Sequence, residues 1–70
     1  MKGLSKAAVE MLKDELGFGI NELEKMSYDE LNTLYTAAGD LEIHYAARSD
    51  EESQCKAGIA ADIVDFLYEY

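Results

Sequence analysis

Apolar residues recur along this chain three and four positions apart with no proline to interrupt them, and that periodicity predicts helix throughout. Ser5 is a good N-cap for a first helix carrying Val9, Leu12 and Leu16 on one face, with Ala8 and Met11 alongside. Gly17 is expected to stop it. Gly17-Phe18-Gly19 offers two residues able to take positive φ at a helix C-terminus, with Phe18 turned into the core. A single short helical turn, Glu22 to Met26, is expected next, capped by Asn21 and bearing Leu23 and Met26 inward.

Ser27-Tyr28-Asp29-Glu30 has the S-x-x-E form of a capping box, so a second helix is expected to begin at Tyr28 and run to about Arg48. Leu31, Leu34, Tyr35, Ala38, Leu41 and Tyr45 form its apolar stripe. Gly39 interrupts the middle at a cost of about 1 kcal/mol relative to alanine, which predicts a close approach by another backbone, a bend, or a helix in two pieces. Ser49-Asp50-Glu51-Glu52 repeats the capping-box form and places a turn near Ser49 to Ser53. Without that turn the acidic run would continue one long helix, and the fold would have to close through another chain. The third helix, about Glu52 to Glu69, puts Ile59, Ile63, Phe66, Leu67 and Tyr70 on one face. Its small residues Ala57, Gly58, Ala60 and Ala61, together with Gly39, would let two helices come unusually close. Connections of a few residues favour antiparallel neighbours. The expected fold is all-α: a small three-helix bundle with an additional short helical turn after the first helix, in one domain spanning residues 1–70.

Charge narrows the possible functions more than length does. Fifteen acidic residues against six basic give a net charge of -9, a field that repels nucleic acid and anionic membrane and leaves a protein with a basic face as the expected partner. An apolar share of 49% is too high for a disordered chain. A core of this size leaves only about 3–5 kcal/mol of net stability, so a homodimer would help. The lone Cys55 can form no internal disulfide, which fits a reducing cytoplasm better than secretion. Lys6, Glu10, Lys13, Asp14 and Glu15 break up any apolar run between Met1 and Gly17, so neither a signal peptide nor a membrane span is expected there.

The residue inventory points away from catalysis. Carboxylate pairs are abundant, but they fall on helix faces that also face solvent, whereas acid/base work needs one carboxyl desolvated beside a cleft. One His and one Cys, with no C-x-x-C or E-x-x-H, make no metal set, and no EF-hand loop is present. Asp40 and His44, four apart, read as a helix-surface pair. Cys55 reads as a small, partly buried thiol rather than as a nucleophile paired with His44. Gly17 and Gly19 precede no G-K-[ST], and Glu22 and Glu24 would repel phosphate. No catalytic, cofactor-binding or metal-binding residue is therefore assigned, and no enzyme activity is expected.

What remains is a surface. Glu51, Asp62, Asp65 and Glu69 fall within a narrow arc of the third helix at about 100° per residue, forming an acidic ridge opposite the apolar face. Tyrosine is plentiful, at Tyr28, Tyr35, Tyr45, Tyr68 and Tyr70; its amphipathic ring serves both core margins and interfaces. Tyr68 lies away from the Ile59, Ile63 and Leu67 face. Asp62, Asp65, Tyr68 and Glu69 are the candidate partner-binding residues.

Glu15-Leu16-Gly17 through Ser27-Tyr28-Asp29-Glu30-Leu31 and Leu34-Tyr35, closing with Ala60-Ala61-Asp62-Ile63-Val64-Asp65, resembles a group of small acidic helical proteins encoded by phages and prophages of Firmicutes-type bacteria. The resemblance covers about Leu12 to Tyr68. It departs at Gly39 and from Asp40 to His44, a stretch less charged than in that group. Members of that group are generally of unknown function, so the resemblance implies a setting, the cytoplasm of an infected or lysogenic bacterium, and transfers no active site. Within that setting the expected function is a protein-binding accessory or regulatory module. The alternative is an anti-defence inhibitor that imitates nucleic acid before a host nuclease or DNA-binding protein, which would require carboxylates in two strand-like rows.

Overall fold

A computed structural model describes residues 4–69, and it is helical with no strand among them. Helix α1 spans Lys6–Glu15, a 3-10 turn spans Ile20–Lys25, α2 spans Tyr28–Ala46 and α3 spans Glu51–Glu69. The most extensive packing is between α2 and α3, while α1 lies against α3 and the 3-10 turn. The α2–α3 pair is antiparallel. At one end Gln54 Nε2 reaches the Ala46 carbonyl oxygen at 3.3 Å, and at the other Leu67 and Tyr68 stand beside Tyr28 and Leu31.

The sequence punctuation explains most of the boundaries. Ser5 caps α1 by accepting from the Ala8 N–H at 3.2 Å. Gly17 ends it with φ +81, a conformation that strains any residue with a Cβ, and the reversal lets the Phe18 N–H donate to the Leu12 carbonyl at 3.1 Å. At the start of α2, the Glu30 N–H donates to Ser27 Oγ at 3.3 Å while the Ser27 N–H donates to Glu30 Oε1 at 3.2 Å, the reciprocal pair of a capping box.

Three boundaries differ from expectation. The 3-10 turn begins at Ile20 with Gly19 as its cap: the Gly19 N–H donates to the Glu22 carboxylate at 3.3 Å, so Asn21 lies inside the turn and caps nothing. Helix α2 ends at Ala46 with Ala47 as its cap, short of Arg48. Helix α3 is capped by Asp50 rather than Ser49, because the Ser53 N–H donates to Asp50 Oδ2 at 2.9 Å. Two overlapping cap frames compete there, and the carboxylate that takes the Ser53 N–H also lies 3.4 Å from Arg48 Nε.

Core packing centres on Ala8, Met11 and Leu12 of α1, Leu23 of the 3-10 turn, Leu34 and Ala38 of α2, and Ala60 and Ile63 of α3. Val9 and Leu16, expected at the centre of the first apolar face, are only half-buried, and Ala8 and Met11 take that place. Phe18, Met26, Leu31, Leu41, Tyr45, Ile59, Phe66 and Leu67, expected on the inward apolar faces, do pack against this core but remain half-buried, while Tyr70 lies outside the described residues. Ser53 is buried beside Ala57, in line with Ala60 and Ile63, so the inner row of α3 begins with a hydroxyl. Helix α2 runs unbroken through Gly39, and a Cβ built at Gly39 or Gly58 would meet nothing within 4 Å. The expected close helix contact therefore does not involve either glycine. Ala57 and Ala60 supply the small buried positions instead.

Candidate protein-interaction site

Asp62, Asp65 and Glu69 are all exposed on α3, on the side away from Ala60 and Ile63, with Glu51 on the same line at the start of the helix. Two uncharged residues, Cys55 and Gly58, occupy that line between Glu51 and Asp62, and both are exposed. Cys55 is thus a surface thiol rather than the partly buried one expected; its register on α3 follows the ridge, not the apolar row. Among the described residues the single ion pair is Arg48 with Asp50, so none of the ridge carboxylates is in an ion pair with a described residue.

Tyr68 is 76% exposed, and the fold gives it company that the sequence reading did not name. Its ring centroid lies 6.4 Å from that of Tyr35 on α2, with the planes tilted by 37°. The two rings form part of a groove of about 520 Å³ lined by Tyr28, Leu31, Asn32, Tyr35, Leu67 and Tyr68. Tyr28, also in the lining, is 84% exposed. On the other flank of α2, Leu16, Phe18, Asp29, Glu30, Thr33, Leu34 and Ala37 line a smaller cleft of about 280 Å³. The first half of α2 thus stands as a ridge between two hollows. The available sequence signal was the spacing Tyr28, Leu31, Asn32, Tyr35, one face of a helix, set opposite Leu67 and Tyr68 by a short antiparallel connection.

Tyr45 is used differently. Its hydroxyl donates to the Glu15 carboxylate at the end of α1, Lys56 Nζ of α3 sits 5.5 Å from its ring centroid, and His44 packs edge-on at 5.3 Å. One side chain of α2 thereby engages both other long helices. The Glu15 hydrogen bond, followed by partial desolvation, raises the Tyr45 pKa above its ordinary 10.0. Asp50 moves the other way, below 3.8, because the Ser53 hydroxyl and N–H both favour its charged form.

Nothing converges for chemistry elsewhere. Among the described residues no group of three or more His, Cys, Asp or Glu could hold a metal ion, and Asp40 and His44 are both exposed with no hydrogen bond between them. No helix of the described residues is long and apolar enough to cross a membrane. No family model, curated protein or solved structure matches this chain.

Proposed function

We propose that this chain is a small acidic three-helix bundle, with a short helical turn after α1, encoded by a phage or prophage of a Firmicutes-type bacterium. It acts in the host cytoplasm as a protein-binding accessory or regulatory module without catalytic activity. The observation that carries this reading is the juxtaposition on α3 of exposed carboxylates at Asp62, Asp65 and Glu69, in no ion pair among the described residues, with the exposed ring of Tyr68. Such a face attracts a partner with a basic surface and orients it, while the tyrosine contributes contact area. DNA and RNA are repelled by the same field.

The nucleic-acid mimic is the weaker reading. Phosphates repeat at a regular interval along a strand, whereas the α3 line carries uncharged Cys55 and Gly58 between Glu51 and Asp62. Affinity capture from a Gram-positive lysate separates the two readings. It is washed at about 0.1 M and about 0.5 M salt, a roughly twofold change in screening length, with and without duplex DNA. The accessory-module reading expects a partner that the Asp62→Asn, Asp65→Asn, Glu69→Gln triple variant loses and that DNA does not displace. A DNA-binding protein displaced by duplex would favour the mimic. Equal capture by wild type and triple variant would overturn both.

A further inference from the structure

We infer that the groove between the first half of α2 and the last turn of α3 is a seat for an arginine side chain, presented by a basic segment of the protein partner. The inference rests on the reading of this face as protein-binding and names what the face recognises. Tyr35 and Tyr68, from different helices, hold their rings 6.4 Å apart and tilted by 37°, and Tyr68 and Tyr28 leave most of their surface to solvent. Of the described tyrosines, Tyr45 alone has its hydroxyl held by another side chain, so the groove tyrosines are not committed to the fold in that way. Asn32, an exposed member of the lining, brings an amide oxygen able to accept from a guanidinium. Asp65 lies three residues before Tyr68 on α3, exposed and, among the described residues, in no ion pair. Negative charge therefore borders the aromatic surface.

Arginine fits this set better than lysine does. Its planar guanidinium stacks on aromatic faces while its N–H fork pairs with a carboxylate, whereas an ammonium acts as a hydrated point charge. The chain already uses related chemistry internally, with Lys56 over the Tyr45 ring and Glu15 on the Tyr45 hydroxyl. A second copy of the chain is a poor occupant. Two chains of net charge -9 repel, and its single arginine, Arg48, is engaged by Asp50. A volume of about 520 Å³ accommodates the side chain with part of its flanking backbone.

The test uses the full chain, isotopically labelled, titrated with a blocked peptide of alternating Gly and Arg and with its Gly-Lys counterpart at about 0.1 M salt. The Gly-Arg peptide is expected to bind roughly three- to fivefold more tightly than the Gly-Lys peptide, with amide shifts concentrated at residues 28–35 and at Leu67 and Tyr68. Tyr28→Ala and Tyr68→Ala should each weaken it by a similar factor and reduce the preference for arginine, while Tyr68→Phe, which keeps the ring, should retain both. Dispersed amide spectra show that each variant remains folded. Equal binding of the two peptides, confined to Asp62, Asp65 and Glu69 and untouched by the tyrosine variants, would overturn the arginine seat and leave the acidic face standing. Binding of neither peptide would overturn the seat and count against the acidic face itself.

Discussion

The two ends of the α2–α3 hairpin use tyrosine in opposite ways. At the closed end, where α2 leaves and α3 begins, Tyr45 is tied to Glu15 and lies under Lys56. At the open end, Tyr28, Tyr35 and Tyr68 surround a groove with no cation or carboxylate of the chain bonded to them among the described residues. The same residue type is a clasp where other helices supply its partners and a contact surface where they do not. What decides is the neighbourhood in space: Glu15 and Lys56 stand at Tyr45, and none of the residues lining the groove is charged.

The sharpest way to break the comparison is to remove what both ends share. Ile63 is fully buried in the row joining them, and Ile63→Ala is expected to cost about 2–5 kcal/mol. That is comparable to the whole stability of a domain this size, so the chemical denaturation midpoint should collapse. A near-normal midpoint would mean that the two ends are held independently. Asp50→Ala strikes the closed end alone. Loss of the α3 cap should lower Tm by about 4–8 °C, with Ser49→Ala near neutral, since Ser49 does not fill the cap position.

Tyr45→Phe sharpens the comparison through pH. A tyrosine pKa raised by folding stabilises the protein below the ordinary value of 10.0, and that contribution is lost as pH rises through the folded-state value. Wild type should therefore melt a few degrees above Tyr45→Phe at neutral pH, and the gap should close above about pH 10. Asp50 gives the mirror image: its lowered pKa favours the fold above 3.8, and this is lost as pH falls below that value. Comparing acid melts of wild type and Asp50→Ala tests it, since the two should converge in acid. Tyr28→Ala and Tyr68→Ala, on the open end, should change stability least, by no more than about 0.5 kcal/mol. A substantial loss of stability in either would make the groove a structural joint like the closed end.

Local signals were legible in the sequence, and those made by two elements together were not. Ser5, Gly17 and the Ser27–Glu30 box act within a few residues, and the structure places each where the pattern put it. At the start of α3, Ser49 and Asp50 both fit a cap frame, and only the position of the Ser53 N–H, which reaches Asp50, distinguishes them. Cys55 was placed partly inside on residue type, which outranked its register among the outward positions of α3. Buried Ser53 was missed for the converse reason: polarity concealed its place in the row leading to Ala57, Ala60 and Ile63. Tyr68 was selected from periodicity, but its partners Tyr28 and Tyr35 come from α2, and the Tyr45 contact with Glu15 spans two helices. No helical period encodes such pairings.

The decisive measurement is the binding of the Gly-Arg peptide to Tyr68→Ala and Tyr45→Phe side by side, with the melting curve of each. The assignment of a contact surface to one end and a clasp to the other predicts a crossed result: Tyr68→Ala keeps its Tm and loses affinity, while Tyr45→Phe loses Tm and keeps affinity. If both variants lose both properties, or if Tyr45→Phe alone loses affinity, the division between the two ends is wrong.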